Sequence, residues 1–517
     1  MPHQVARWQS AQQQLLSHHP AQALAAYRSL VQRFPGIPQL WVELGMAAAG
    51  ELDFALAEQG FSRAQQLAPG DSALLLVLAQ QYQRLRRPER ATACFEKAAA
   101  ADPHSLPARL SLAAWYERQR RLEEAWRCLE QCDTRHRGNP ELACAQALLL
   151  HRLGRNNEAE TLLRGIVSGS SQNPSLRFSS RHLLGVVLDA LGNYDEALKW
   201  LIEGKAQAPL MANTAKMEQD YDRADQRRRQ LLAELTPAML QRWREQGDAV
   251  PVPGKLAFLG GHPRSGTTLL EQVLAAHPSL LAFDEPESFA EEIWHALAPM
   301  DAAHPLTAAQ LDALPAPQRA WLGERYLKSL LRSGEPGESK HVLLDKNPSP
   351  TAALHLWLRI FPHLRIVIAL RDPRDVVLSC FFQNLMLTPT NANFLSLERT
   401  AKHYADLMDV WLRLRELGGF EWLEIRYEDL VADIQTEGSR VTQFLGLTWT
   451  PAQAQYHKAT GQRHVFSPTY SEAAQPVYRR AIGRWHHYAA ALEPLQARLE
   501  PYCRAFGYTR PDGVLSH

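Results

Sequence analysis

The sequence predicts a multidomain protein: an N-terminal all-α superhelix of helical repeats, then a C-terminal α/β domain with a mostly parallel sheet and a P-loop-like turn. Three observations predict it. Alanines recur at Ala23, Ala57, Ala91, Ala125 and Ala159, each 34 residues after the last, and Ala197 follows after a longer gap. Beyond Lys255 short apolar runs alternate with helical segments. Between the first such run and its helix lies "GGHPRSGTT", a glycine-rich turn placed where backbone N–H groups cradle anions.

A chain of 517 residues is too long for one ordinary core. Its 56 basic and 55 acidic residues leave a net charge of +1, which gives no global pull toward nucleic acid or an anionic membrane. The first residues lack a basic segment followed by an apolar run, and no stretch approaches the roughly 20 apolar residues of a spanning helix. Six cysteines, at 94, 128, 132, 144, 380 and 503, lack paired metal-type spacing, so no metal is expected. Cys128 and Cys132 share a helical face and are read as small buried hydrophobes. Together these features imply a soluble protein of a reducing, cytoplasmic compartment.

The repeats come first in the chain. Prolines at 35, 69, 103, 140, 174 and 209 trail the periodic alanines by 12 residues, or by 15 where "TRHRG" and "SGSSQ" lengthen the loop. One unit carries Trp41, Leu44, Gly45, Ala57, Phe61, Ala64 and Pro69, and the next repeats it with Tyr82, Ala91, Phe95, Ala98 and Pro103. Small residues let paired helices approach and aromatics fill the gaps between them, so these positions are core and none is assigned to a site. The pattern resembles the tetratricopeptide repeat, with about six units over residues 1–210. That resemblance implies a concave face holding a protein or peptide partner. "ADQRRRQLLAEL" and "AMLQRWREQ" continue as a helical linker over 211–254, and "GDAVPVPGK" marks a boundary near residue 250.

In the second half, "KLAFLGG", "SLLAFDE", "HVLLD" (341–345), "RIVIALR" (365–371) and "EWLEIRY" (421–427) are the expected strands. Ligands of such sheets sit beyond the carboxyl ends of the strands. A nucleotide triphosphatase would carry Gly-Lys-Ser/Thr in the first turn, with the lysine on the terminal phosphates. This chain reads Gly266-Thr267-Thr268, with Arg264 two positions before the glycine. The cradle is kept and the cation has moved, which suits a group needing less neutralisation than a triphosphate, such as a sulfuryl group without magnesium. In "RIVIALRDPRDVVLSCFF", Arg371 ends a strand, Asp372 can cap the next helix, Pro373 fits its first position, and Ser379 lies eight residues after Arg371. Arg371 and Ser379 could clamp a second phosphate, or Arg371 could pair with Asp372 or Asp375 in a surface network.

"GGHPRSGTTLLEQVLAAHPSLLAFDEPE", "DKNP" and "RDPRDVVLS" together resemble the sulfotransferases that use 3'-phosphoadenosine-5'-phosphosulfate, most closely the branch containing the tyrosylprotein sulfotransferases. The resemblance runs from about Leu256 to Asp512, giving a domain over 255–512. It implies that Arg264, Ser265, Gly266, Thr267 and Thr268 hold the 5'-phosphosulfate and that Arg371 and Ser379 hold the 3'-phosphate. Tyr427 then lies near the adenosine, Arg484 takes a cationic position that is commonly lysine, and Ser467 lies near a matched serine in a loop of different length. Glu285 is implied as general base, with Asp284 and Glu287 as competitors. Lys346 is implied to neutralise the bridging oxygen as sulfur is transferred. Gln383 stands where the tyrosylprotein branch has arginine, and the chain shows neither the membrane segment nor the disulfides of that branch. The expected activity is therefore sulfuryl transfer to a hydroxyl or amine, with tyrosine in a protein, a glycan, a lipid headgroup and a small metabolite all open as acceptors and the repeats recruiting acceptor or partner. A P-loop kinase-like phosphotransferase and a catalytically inactive repeat scaffold are the competing readings.

Overall fold

The computed structural model describes residues 8–10, 12–13, 20–132, 134–169, 171–299, 304–331, 341–457 and 481–508. They divide into two compact units, one formed by the residues up to Arg155, with Leu331, and one by the rest. Among the described residues no helix is long and apolar enough to cross a membrane.

The first unit is a run of helices: Pro20–Arg33, Pro38–Gly50, Phe54–Leu67, Ser72–Arg84, Pro88–Ala101, Leu106–Arg118, Leu122–Glu130 and Pro140–Arg152. Short polar side chains start several of them, because Asp53, Asp71, Ser105 and Asn139 each accept a first-turn backbone N–H. The periodic alanines are the points of closest approach: Ala23, Ala57, Ala91 and Ala125 are all fully buried. Gly60 is small for the same reason, since a Cβ there would stand 2.7 Å from the Trp41 carbonyl. Within each pair the chain reverses through the same helix-ending motif, with Asp53, Arg87, Arg121 and Arg155 donating N–H to the carbonyls of Ala48, Tyr82, Tyr116 and Leu150. The residues before those donors, Leu52, Arg86, Arg120 and Gly154, take the left-handed conformation at φ 58, 56, 62 and 77°. Pro140 sits at the first position of a helix, as Pro174 does later, whereas Pro35, Pro69 and Pro103 lie in turns between helices. The longer loops thus move proline from the turn into the helix start. Cys128 is buried and Cys132 half-buried.

The second unit begins inside the repeat array. Helices Asn156–Val167, Pro174–Ala190 and Tyr194–Lys205 bury Ala159 and Ala197 completely and end the middle helix with the same motif, Asn193 N–H to Leu188 O at 2.9 Å. The expected linker forms two helices, Thr214–Glu234 and Pro237–Gln246. They are packed rather than free: Trp243 is fully buried, Arg229 meets Asp406 at 2.5 Å, and Arg399 meets Asp222 at 3.0 Å. A charged stripe on Thr214–Glu234 is matched by one on the helix Leu397–Leu417.

Five parallel strands follow: β1 Lys255–Gly261, β2 Leu280–Asp284, β3 Val342–Lys346, β4 Arg365–Leu370 and β5 Glu421–Arg426, in the order β2-β3-β1-β4-β5. The three inner strands are buried along nearly their whole length, as a sheet covered on both faces requires, and the edge strands are more open. Phe258, Phe289 and Tyr326 surround Trp357, with Phe289 stacked on it at 4.1 Å. All five strands end on the same edge, so the residues that follow them converge there.

Candidate active site

The turn after β1 is shaped by two glycines that no other residue could replace. Gly261 has φ 119°, and a Cβ there would press into the Ala369 carbonyl of β4. Gly266 has φ 91° and opens the helix Thr267–Ala275 without a side-chain cap; a Cβ there would enter the Tyr427 ring. Thr351 fastens the turn, accepting the Gly261 N–H at 2.9 Å and donating to the Gly261 carbonyl at 3.0 Å. Ser265, Thr267 and Thr268 are buried.

Arg264 holds a left-handed conformation at φ 74°, and its Nε donates to Ser379 Oγ at 3.0 Å. Arg371, 7% exposed, donates from Nη1 to the Arg264 carbonyl at 3.1 Å and from Nη2 to the Ala481 carbonyl. Tyr427 lies 5.1 Å from the Arg371 guanidinium carbon. The loop residues and the Arg371–Ser379 pair, separate in sequence, are therefore one contiguous polar surface. Arg371 is buried, so its long ion pair with Asp375 is not a surface network. Asp372 is occupied by the Arg374 backbone and guanidinium, and Asp375, 3.9 Å from Arg371, accepts the N–H groups of Gly483 and Trp485 at 2.7 and 2.9 Å. Asp372 caps the helix Pro373–Phe381 with Pro373 at its start, as the sequence predicts.

At the ends of β2 and β3 a fully buried lysine is surrounded by acids. Lys346 Nζ pairs with Asp284 and donates to Glu285 Oε1 at 3.1 Å. Burial alone would lower the Lys346 pKa, but the charges of Glu285, Asp284 and Glu271 outweigh it and hold the ammonium above the ordinary lysine value. The three acids of "DEPE" differ in setting. Asp284 is buried, Glu285 is 32% exposed while touching Lys346, and Glu287 is exposed. Glu285 also has φ 45°, its N–H bonded to the Lys346 carbonyl at 2.7 Å. Arg264 and Glu285 are the two non-glycine residues of the second unit with positive φ among the described residues. Backbone strain of this kind, of order 1–3 kcal/mol each, concentrates at functional positions.

Two further sequence candidates are Ser467 and Arg484. Ser467 lies outside the described residues. Arg484 pairs through Nη2 with Asp189 at 2.7 Å and stacks on Phe382 at 4.1 Å. Gln383, on the departure from the tyrosylprotein pattern, donates to the Ser379 carbonyl at 3.0 Å. Sequence reasoning missed Glu271 and Asp189, and it named Asp375 only as a possible partner of Arg371. Glu271 and Asp375 were legible as acids inside otherwise apolar helical stretches, "TTLLEQVL" and "DVVLSCFF"; Asp189 carried no comparable signal.

Residues 257–451 match the family model described as Sulfotransferase family, and residues 14–72 and 178–205 match models described as tetratricopeptide repeat. The chain carries a sulfotransferase-family domain and tetratricopeptide repeats. Its relation to protein-tyrosine sulfotransferases is distant. The chain is 26% identical over 287 residues to protein-tyrosine sulfotransferase 1 of Danio rerio, covering 50% of this chain and 76% of that one. It is 24% identical over 288 residues to protein-tyrosine sulfotransferase 2 of Gallus gallus, covering 50% and 73%. An uncharacterized protein of Aquifex aeolicus is 23% identical over 356 residues, covering 66% of this chain and 43% of that one. Among solved structures, the sulfotransferase domain of the Synechococcus PCC 7002 olefin synthase aligns at 20% identity and a TM-score of 0.36, over 52% of this chain and 100% of that one. Within the sulfotransferase-family domain, the matched segment contains Arg264 through Thr268, Glu285, Lys346, Arg371, Ser379 and Tyr427; Ser467 and Arg484 lie beyond it.

Proposed function

We propose that the protein transfers a sulfuryl group from 3'-phosphoadenosine-5'-phosphosulfate to a hydroxyl or amine acceptor. The observation that carries this reading is the Lys346–Glu285 pair at the strand ends, 3.1 Å apart, beside a phosphate-type loop whose lysine position is Thr267. The residues fit such a donor. Gly266 opens the helix Thr267–Ala275 with no side-chain cap, and Arg371 Nε is buried with no hydrogen-bond partner among the described residues. Arg264, Ser265, Gly266, Thr267 and Thr268 would hold its 5' end, Arg371 and Ser379 its 3'-phosphate, and Tyr427 its adenosine side.

The donor supplies an activated S–O bond to phosphate. The acceptor oxygen or nitrogen forms a bond to sulfur, the bridging S–O bond breaks, and adenosine 3',5'-bisphosphate leaves. Glu285 takes the acceptor proton: it is the one acid of the three that both touches Lys346 and opens to solvent. Lys346 Nζ and the Arg264 guanidinium place positive charge where the leaving phosphate becomes more negative, and both are fixed before reaction. With two protein cations in those roles the reading requires no metal. Protein tyrosine is one candidate acceptor, and the repeats of the first unit are assigned to recruiting a protein acceptor or partner.

Titration of the full chain with adenosine 3',5'-bisphosphate tests the donor site. Binding should be independent of magnesium and lost in Arg264→Ala. Magnesium-dependent binding of ATP, with none of the bisphosphate, would replace this reading with the phosphotransferase one.

A further inference from the structure

Asp189 stands in the last turn of the helix Pro174–Ala190, where the negative end of the helix dipole disfavours a carboxylate. Its two oxygens are engaged by one short turn, Arg484–Tyr488. The Tyr488 hydroxyl donates to Oδ1 at 2.6 Å and Arg484 Nη2 lies 2.7 Å from Oδ2. Among the described residues the other nitrogens of Arg484 make no hydrogen bond, and one face of the guanidinium rests on Phe382. The same turn is fastened from its other side by Asp375, which lies on the helix that carries Ser379 and faces Arg371. Two further contacts join the last repeat to this region: Lys205 Nζ donates to the Gln383 carbonyl at 3.0 Å, and Tyr194 stacks on His487 at 4.1 Å.

We propose that Asp189 is a positioning residue of the donor site. It fixes one edge of Arg484 while Phe382 fixes one face, and the remaining N–H groups are presented to the 3'-phosphate beside Arg371 and Ser379. The last repeat pair then serves the nucleotide site and not partner recruitment. This inference rests on the donor reading above.

The test is calorimetric titration of the full chain with two nucleotides, adenosine 3',5'-bisphosphate and adenosine 5'-monophosphate, in wild type, Asp189→Asn and Asp189→Ala. Wild type should prefer the bisphosphate. Both variants should bind it about tenfold more weakly, the scale of one charge-assisted contact, while the monophosphate is unchanged. Arg484→Ala should give the same loss, and adding Asp189→Asn to it should change nothing further. Three results would overturn the proposal: an unchanged preference, an equal loss for both nucleotides, as a merely structural role predicts, or tighter bisphosphate binding, as a competing carboxylate predicts. The isosteric Asp189→Asn carries the test should the alanine variant not fold. A wild type without preference would instead overturn the donor reading, and it shows before any substitution is made.

Discussion

Lys346 has no exposed surface and lies among three acids, so its charge is both a structural and a chemical requirement. Removing one member of a buried ion group strands the others, at a cost of about 3–5 kcal/mol. Lys346→Met should therefore lower thermal stability as well as abolish transfer. Glu285→Gln should separate the two effects. It leaves the Asp284–Lys346 pair in place, so the fold should persist and nucleotide binding should remain, while transfer falls by about 10²–10⁴, the range of one general base. Because the folded Lys346 pKa is raised, its contribution to stability is fully present below the ordinary lysine value and is lost only as pH rises through the folded one. Chemical denaturation should accordingly show no effect of this group near neutrality. Arg264, Glu285 and Lys346 were legible because each sits at a strand end in a recognisable motif. Glu271 stood out as an acid in an apolar stretch but its role did not, because its partner comes from a strand some 75 residues on, and sequence spacing carries no such distance.

The elements were largely legible, since each depends on local chemistry. Five apolar runs became five strands and the 34-residue period became helix pairs, because alternation of burial and small-residue spacing are properties of the segment itself. The stretch 211–254 reads as a linker from composition, yet its helices are held by ion pairs to residues roughly 180 positions away. The turns within the repeats offer a clean test of backbone cost. Gly192 has φ 84°, and a Cβ there would meet nothing within 4 Å, so Gly192→Ala should destabilise by about 1–2 kcal/mol through conformation alone. Thermal unfolding with the second unit's tryptophans as reporter measures it. Gly266→Ala differs, because strain at φ 91° is joined by collision with Tyr427. It should weaken binding of adenosine 3',5'-bisphosphate as well as stability.

At the scale of the whole molecule the two units should respond differently to acid. In the second unit burial lowers the pKa of His182 and His355 to about 3 and of His262 to about 4, and it holds His403 well below the usual value. These side chains stay neutral in the fold while the unfolded chain protonates them below about pH 6.5, so stability is lost as pH falls, with a limiting slope of roughly 5 kcal/mol per pH unit for four groups. Burial raises the pKa of Asp375 and Glu428, so these acids take up protons in the fold and begin to offset that loss at lower pH. The described histidines of the first unit, His104, His136 and His151, are none of them buried. Hydrogen exchange followed by mass spectrometry at pH 7, 6 and 5 should show protection falling in β1 and β4 and holding in the helices up to Arg152. Sulfuryl transfer can be followed with labelled donor. The full chain is incubated with donor labelled at sulfur and a mixture of protein, glycan and small-molecule acceptors, with Glu285→Gln and Arg264→Ala alongside. Label should appear on an acceptor with wild type only, in chelator as in magnesium; label left wholly on the donor, or transfer undiminished in Arg264→Ala, would overturn the sulfotransferase reading.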